Sequence, residues 1–352
     1  MYILGLDIGG TKTEAALSKT CPGDGKKTTA RRGTPPLTLT LPDVASTKLS
    51  IFARKRIPTT RRAGFATIVT QLTELCSELL AHEKIGAKDL SAIGIGLPGS
   101  VDPVSGKMLF GNTIALAGKD LARELASGLK LARSARTACK IVCENDANCF
   151  ALAEALCGAG AEFAEKSKKP IAETMGVGVI LGTGVGGGIV IGGRILRGRQ
   201  GGAGEIGHTE LYTNGHACYC GRNGCAEGYL SGAGFEAHFA SRIYSQIEKR
   251  PDAKGIFDLC RDGDPIASAV VQQYRRELAK FLGHLTNILD PDYFVLGGGM
   301  SNAPQIYEGL RARIQRHCFL PDTAPAVYRH ALGDSSGVIG AALLAFQKVA
   351  AN

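Results

Sequence analysis

The sequence predicts a protein of two α/β domains with similar halves, and three observations support this fold class. A chain of 352 residues is long enough for two domains at roughly 100–200 residues each. Short apolar strands alternate with segments of helical periodicity, which is typical of layered α/β folds. A glycine-rich turn between two strands occurs at residues 7–12 and recurs at residues 182–188, which indicates two related halves.

The first half is predicted to begin with a hairpin, because apolar strands flank the first glycine turn. Residues 20–48 are rich in Pro, Thr, Gly and Lys and predict a solvated inserted loop with no role of its own. Within it, the alternating residues 37–41 are bounded by prolines, which limit them to an edge strand at best. The other elements of this half are predicted as helices over 64–82, 121–131 and 148–156 and strands over 93–97 and 140–143.

The second half is predicted to repeat the hairpin, with strands on both sides of the second glycine turn. The elements expected here are strands over 175–181, 189–191 and 293–296 and helices over 233–244, 266–289 and 337–349. We place the division between the domains near Ala122 and expect the last helix to return to the first domain. The predicted domains are therefore residues 1–122 with 333–352, and residues 123–332.

The net charge of +9 is concentrated in one part of the chain. Residues 19–62 hold 11 Lys/Arg and 2 Asp/Glu, so the rest of the chain is electrically balanced, which argues against a nucleic-acid-binding face. No run approaches the roughly 20 apolar residues that cross a bilayer, and the N-terminus lacks the pattern of a signal peptide. We therefore expect a cytoplasmic protein without membrane or nucleic-acid partners. An odd count of 11 cysteines also argues against a disulfide framework.

The first glycine turn has the chemistry of a phosphate site. It leads into a strand and not into a helix, which excludes the dinucleotide-binding and Walker-type loops. Gly9 and Gly10 let backbone amides approach a polyanion, and Thr11 and Lys12 add donors. Asp7, at the end of the strand, suits a phosphate-bound Mg²⁺. A simple tight hairpin is the alternative for this turn alone.

Two further glycine runs extend this prediction to a nucleoside triphosphate. The second turn supplies more bare amides, and two such turns facing one cleft would clamp a triphosphate. A third run, residues 297–299, has no side chains between a strand and a helix and would let a flat adenosine lie close to the backbone. The residues expected to bind ATP in these two runs are Gly182, Thr183, Gly184, Gly297, Gly298 and Gly299.

The cysteines Cys218, Cys220 and Cys225 form a cluster that indicates zinc. Three soft thiolates lie in one glycine-containing turn, and a fourth ligand would complete a tetrahedron. Spacing alone leaves His216 as a candidate for that ligand. Three cysteines with one histidine make a closed, structural site, so the metal is expected to shape the protein and not to activate water.

Together these motifs closely resemble those of the ROK (repressor, open reading frame, kinase) family of bacterial-type sugar kinases, within the actin, Hsp70 and hexokinase superfamily. The resemblance covers almost the whole chain apart from the 20–48 insertion. It rests on residues 7–12, 97–99, 144–148, 182–188, 204–208, 218–227 and 297–302. It implies a two-domain ribonuclease-H-like fold with an interdomain cleft, a homodimer, and ATP-dependent phosphorylation of a hexose or N-acetylhexosamine hydroxyl with Mg²⁺ and a structural Zn²⁺.

The resemblance also implies the role of individual residues. Asp146 matches the family's catalytic base, and its place between a strand and a helix N-terminus suits an ionised carboxylate that accepts a hydroxyl proton. The local alternative is that Asp146 only caps this helix. His208 matches the fourth zinc ligand, with His216 as its competitor. The residues expected at the sugar are Asn112, Asn145, Glu205, His208 and Glu227, although the two glutamates could instead support the metal ligands.

The sugar is predicted to be N-acetylglucosamine, with its 6-phosphate as the product. The loop over 111–119 has no aromatic residue and the chain has no Trp, so Ala115, Ala117 and Ile206 leave room for an acetamido group. Three other segments look more like the fructokinases, namely residues 218–220, 300–302 and 334–337. Fructose is therefore the next candidate, followed by glucose and N-acetylmannosamine. Such pockets discriminate small groups by only about 1–3 kcal/mol, so side activities are expected.

A non-catalytic alternative is the DNA-binding repressor branch of the same family. Those proteins carry a winged helix-turn-helix before the first phosphate hairpin, whereas this sequence starts at the hairpin strand, so we expect no DNA binding. A sugar sensor without activity would have no need of Asp146 or of the phosphate turns.

Overall fold

The structure is a computed structural model, and it describes residues 1–9, 12–22, 37–40, 47–59, 63–111, 113–131, 139–243 and 250–350. The chain divides into two compact units. Unit 1 comprises Met1–Glu173, Val190–Ala203 and Leu332–Asn352, and unit 2 comprises Thr174–Ile189 and Gly204–Ala331. Among the described residues, no helix is both long enough and apolar enough to cross a membrane.

Unit 1 is built on a six-stranded sheet with the order β3-β4-β2-β1-β5-β8. Its strands are β1 (Tyr2–Ile8), β2 (Lys12–Pro22), β3 (Leu37–Thr40), β4 (Thr47–Pro58), β5 (Leu90–Leu97) and β8 (Lys140–Asn145), with a separate hairpin of β6 (Gly99–Val101) and β7 (Met108–Gly111). Its helices are α1 (Phe65–His82), α2 (Leu121–Gly128), α3 (Asp146–Cys157), α4 (Ala159–Ser167) and α10 (Ser336–Ala350), and β11 (Arg194–Ile195) pairs with Val190 and Ile191.

The predicted first hairpin is confirmed, because β1 and β2 pair antiparallel from Tyr2↔Lys19 to Ile8↔Thr13. β5 pairs parallel to β1, and β8 pairs parallel to β5. The carboxyl ends of these three strands therefore meet at one edge of the sheet. This topology places Asp7, at the end of β1, on the same edge as the residues that follow β8.

The insertion contributes β3 to this sheet, and β4 begins at the end of the insertion, at Thr47. β3 lies at the edge, so the prediction of an edge strand is confirmed. The twelve-residue β4 was not expected, although it pairs with β2 along its whole length. In β4, the exposed residues Arg54 and Arg56 alternate with less exposed neighbours, as in a strand. The sequence did not show this alternation, because the basic composition of the segment favours a loop. Residues 23–36 and 41–46 of the insertion lie outside the described residues.

Helices α3 and α10 form the layer that covers one face of the unit 1 sheet. In α3, the residues from Ala147 to Leu156 are all buried, and all of them are apolar or small except the buried polar residues Asn148 and Glu154. α10 packs against α3, β1 and β5. Glycines allow this close approach, because a Cβ at Gly94 of β5 would overlap the backbone carbonyl of Ala341 in α10.

Replacing Gly94 by Ala should therefore destabilise unit 1. The added methyl group meets backbone and not a movable side chain, so α10 must shift away from the sheet. We expect the free energy of unfolding to fall by about 3 kcal/mol or more, measured by urea denaturation. Gly202→Ala is the matched control, since a Cβ there has nothing within 4 Å, and an equal loss in both variants would contradict the packing argument.

In unit 2, β12 (Tyr293–Gly297) lies between β9 (Met175–Leu181) and β13 (Ala326–Arg329) and is parallel to both, with β10 (Val185–Ile191) beside β9. The helices of this unit are α5 (Glu227–Leu230), α6 (Gly232–Arg242), α7 (Ala253–Arg261), α8 (Pro265–Leu289) and α9 (Leu310–Gln315). Its core contains stacked aromatic rings, with Phe235 and Phe257 at 4.8 Å and Tyr274 edge-on to Phe235. α8 begins where Asp264 caps it, directly before Pro265.

The predicted division near Ala122 differs from the division in the structure. Residues 123–173 belong to unit 1, because β8 joins its sheet beside β5 and α3 packs on α10. The β5–β8 pairing joins residues 48 positions apart, as in Ala92↔Lys140, and the α3–α10 contact joins the middle of the chain to its last helix. Local composition carries no trace of them, so the boundary could not be placed from the sequence. The short elements α4, α7 and β13 were also not predicted.

Candidate functional site

At the sheet edge of unit 1, Asp7 is a half-buried residue whose carboxylate oxygen Oδ1 is buried. Burial, followed by the nearby charges of Asp146 and Glu14, raises the pKa of Asp7 to about 7. Among the described residues, its Oδ1 atom has no hydrogen-bond partner. An excess of negative charge with an unsatisfied oxygen suits a divalent cation, and carboxylate oxygen is the ligand that Mg²⁺ prefers.

Two glycines confine the Asp7 carboxyl group. A Cβ at Gly337, in the first turn of α10, would overlap Oδ2, and a Cβ at Gly96 would lie 3.3 Å from Oδ1. The N-terminal turn of α10 therefore packs directly on this side chain. The sequence analysis did not identify Gly337, since only the tertiary contact with Asp7 shows what the glycine does.

The first glycine turn is closed by a hydrogen bond from the Gly9 amide to the Lys12 carbonyl, 3.0 Å long. Lys12 is held beside the turn because its Nζ lies 3.1 Å from a carboxylate oxygen of Asp334. Gly10 and Thr11, which were predicted to bind phosphate, lie outside the described residues.

A buried carboxylate that the sequence analysis missed supports this turn. Glu14 lies opposite Asp7 in the β1–β2 register and is 4% exposed. It accepts hydrogen bonds from Arg56 Nη2 at 2.7 Å and from Ser335 Oγ at 3.1 Å. It thereby connects β2, β4 and the segment before α10. A carboxylate directly before the apolar run Ala15–Leu17 was the available signal.

Asn145 and Asp146 lie at the junction of β8 and α3. The N-cap of α3 is Asn145, whose Oδ1 accepts from the amides of Ala147 at 2.9 Å and Asn148 at 3.1 Å. Its Nδ2 donates to the Gly99 carbonyl at 3.2 Å. The N-cap position is therefore held by Asn145, although Asp146 Oδ1 also accepts from the Ala147 amide at 2.8 Å. Asp146 is the first residue of α3 and is half-buried at the positive end of the helix.

In unit 2, the second glycine turn is held from two sides. The Gly182 carbonyl accepts from the Gly232 amide at 2.8 Å. The Glu227 carboxylate accepts from the Val185 amide at 2.9 Å. Glu227 was expected at the sugar, and the structure places one of its oxygens on the backbone that follows the predicted phosphate turn. Thr183 is exposed at the tip.

The third glycine run packs on the second one. Gly298 has a φ of +80°, and a Cβ there would lie 3.0 Å from the Gly182 amide nitrogen and overlap the Leu181 carbonyl. Gly297 ends β12, and after Gly298 the short 3₁₀ segment Gly299–Asn302 begins. The structure thus brings together residues 182–184 and 297–299, as a common nucleotide surface requires.

One histidine, His208, lies beside the cysteine cluster. The ligand atoms of His208, Cys218, Cys220 and Cys225 all lie within 4.8 Å of one another. The Nδ1 atom of His208 is 3.6 Å from the Cys218 sulfur, and the Cys220 and Cys225 sulfurs are 3.6 Å apart. Four such donors match the ligand set of a tetrahedral zinc site.

The competing histidine is engaged elsewhere. The ring of His216 packs on Tyr229, with centroids 4.8 Å apart, and it is not part of the cluster. His208 also has a partner for its second ring nitrogen, because Nε2 lies 3.1 Å from the Tyr219 hydroxyl. The geometry therefore favours His208 over His216 as the fourth ligand.

Glu205 is exposed and lies on the same short turn as His208, whose amide donates to the Glu205 carbonyl at 3.2 Å. Gly204 has a φ of +98°, and a Cβ there would lie within 3 Å of the Gly187 carbonyl, so this segment packs tightly on β10. Asn112, the other residue predicted at the sugar, lies outside the described residues.

Comparison with known proteins decides the family. A profile described as the ROK family matches residues 37–348. The chain belongs to the ROK family. N-acetyl-D-glucosamine kinase from Escherichia coli O127:H6 (strain E2348/69 / EPEC) is 36% identical over 300 residues, which cover 82% of this chain and 90% of that protein.

Solved ROK structures share the fold over the full length. The ROK hexokinase from Thermus thermophilus has a TM-score of 0.74 and 30% identity, with 100% of both chains covered. A ROK family glucokinase from Streptomyces griseus, solved in complex with glucose and AMPPNP, has a TM-score of 0.71 and 27% identity, covering 99% of this chain and 100% of that one. The predicted actin/hexokinase-type α/β fold class is confirmed.

Proposed function

We propose that this ROK-family protein is an ATP-dependent sugar kinase that phosphorylates N-acetylglucosamine to its 6-phosphate. The observation that carries the proposal is the edge of the unit 1 sheet, where the parallel strands place Asp7, near the end of β1, on the same edge as Asp146 at the start of α3, and where the charge of Asp146 helps to raise the pKa of Asp7. A base and a cation ligand at one sheet edge are what phosphoryl transfer requires. The 36% identity to N-acetyl-D-glucosamine kinase supports the choice of sugar.

In this mechanism, Asp146 accepts the proton of the sugar hydroxyl as the hydroxyl oxygen attacks the γ-phosphorus. The bond between the γ-phosphorus and the β–γ bridging oxygen breaks, and ADP leaves. Asn145 fixes the turn that carries Asp146 and is assigned to the sugar together with Glu205 and Glu227. When bound at Asp7, Mg²⁺ would neutralise phosphate charge, and the amides of the two glycine turns would bind the phosphates.

We also assign a structural Zn²⁺ to His208, Cys218, Cys220 and Cys225. The donor set of three thiolates and one imidazole fits this ion and leaves no open position for catalysis. Glu227 follows the last cysteine by two residues and contacts the Val185 amide. A metal in this loop would therefore also fix the position of the Glu227 carboxylate.

Removing the Tyr219 hydroxyl should weaken metal binding. Because this hydroxyl is the partner of His208 Nε2, it orients the ring so that Nδ1 faces the thiolates. We expect Tyr219→Phe to lower zinc affinity about 10–100-fold, measured by competition with a chromogenic chelator. Tyr328→Phe, outside the cluster, is the control. Equal zinc affinity in the wild type and Tyr219→Phe would show that the hydroxyl does not orient the ligand.

A coupled assay of ADP release over a panel of hexoses and N-acetylhexosamines tests the proposed function. We expect the highest kcat/KM with N-acetylglucosamine and weaker turnover of other sugars. Glucose is the second candidate, because ROK hexokinase and glucokinase structures match the whole chain. If no sugar stimulates ADP release, the proposed kinase activity is wrong. The expected homodimer and cytoplasmic location stay predictions.

A further inference from the structure

One buried carboxylate beside Asp146 has no role in the proposed chemistry. Glu144 is in β8, two residues before Asp146, and is 3% exposed. Its Oε2 atom lies 2.6 Å from Nε of Arg197, a side chain that is 38% exposed. Glu144 is therefore a buried charge with a single cationic partner among its described contacts.

The other oxygen of Glu144 holds the first turn of α3. Oε1 accepts a hydrogen bond from the Asn145 amide at 3.0 Å and another from Nδ2 of Asn148 at 3.0 Å. These two residues lie on either side of the Asp146–Ala147 pair, and Asn148 is 1% exposed. One carboxylate thus fixes the turn that carries Asp146 at both ends. Because both of its oxygens are occupied and buried, Glu144 does not serve as a second base.

Arg197 connects this turn to another segment of unit 1. Its carbonyl accepts from the Ala203 amide at 3.1 Å, which closes the loop over residues 197–203. A Cβ at Gly201 would overlap the Val101 carbonyl, so the loop packs directly on β6. β6 begins at Gly99, whose carbonyl accepts from the Asn145 side chain. The loop therefore contacts β6, and β6 in turn contacts the start of α3.

We infer that the Glu144–Arg197 ion pair is a positioning pair for Asp146, an inference that rests on the proposed kinase function. If Arg197 is removed, the buried charge of Glu144 loses its compensation, and if the Glu144 charge is removed, the turn loses its ionic anchor to Arg197. Small displacements of a catalytic group lower rates about 100-fold, because proton transfer depends on its position. The pair acts on kcat through Asp146, and none of the hydrogen bonds described for Glu144 involves a residue assigned to the nucleotide.

The test is a double-mutant cycle of Glu144→Gln, Arg197→Gln and the double variant. Sugar titration calorimetry counts binding-competent molecules, so that kcat is expressed per folded site. We expect each single variant to lower kcat about 10–100-fold with the KM for ATP changed less than threefold. The double variant should be no slower than the slower single variant, because the same interaction is lost only once.

Two further variants distinguish a positioning role of the ion pair from a general loss of structure. Arg197→Lys keeps a cation for Glu144 and should recover most of the rate lost in Arg197→Gln. Arg199→Gln removes an exposed charge from the same loop and should behave as wild type. The inference is overturned if Glu144→Gln keeps wild-type kcat per folded site, or if the two single effects multiply in the double variant. A wild-type protein that is inactive with every sugar would instead refute the proposed function.

Discussion

Asp146→Asn should lower kcat by about 10²–10⁴-fold while sugar binding survives. The amide cannot accept a proton at neutral pH, yet its oxygen can keep the 2.8 Å hydrogen bond from the Ala147 amide. The helix start is retained, because Asn145 and not Asp146 caps α3. The rate is measured by coupled ADP release with N-acetylglucosamine, and binding by calorimetry with the same sugar.

Asp252→Asn is the matched control for this variant. Asp252 caps α7 in unit 2 through the Gly255 amide, so the same chemical change is made at another helix start, without a role in the reaction. It should retain wild-type kcat. If Asp146→Asn kept more than about a tenth of wild-type kcat, the general base would have to be another group, since base catalysis is worth more than that.

The sequence predicted those parts of the site that depend on local spacing. The glycines at residues 7–12 and 182–188 required turns between strands, and both hairpins occur in the structure. The cysteine spacing predicted a metal cluster, and the structure brings the three sulfurs together with His208. The residues of each turn and the three cysteines are close in the chain, and the family resemblance supplied His208.

The contacts that position the site could not be predicted, because they join distant segments. Gly337 confines Asp7 from the other end of the chain, and Arg197 reaches Glu144 across 53 positions. A glycine or an arginine in such a place has no local signal. The capping role of Asn145 was also missed, since Asn and Asp are almost equally good N-caps and adjacent positions compete for it.

Cys220→Ser should remove the metal and, with it, sugar binding. The wild-type protein is expected to hold about one Zn²⁺ per chain, as four donors make one tetrahedral site. Serine is a poor zinc ligand, so the variant should contain little zinc by elemental analysis. Without the metal, the loop over residues 218–227 loses its cross-link, and the turn that carries both Glu205 and His208 loses its anchor.

Cys260→Ser controls for the loss of a thiol, because Cys260 lies in α7 outside the cluster and should leave the zinc content unchanged. Calorimetry with N-acetylglucosamine then separates the two roles of the loop. If zinc is lost and sugar affinity persists, the metal does not shape the sugar site. If the metal-free protein is also fully active, Glu227 must hold the Val185 amide without it, and the structural role of zinc fails. Loss of zinc together with loss of sugar binding, in a protein whose unit 1 still unfolds cooperatively, is the outcome that we expect from the proposed ligand set.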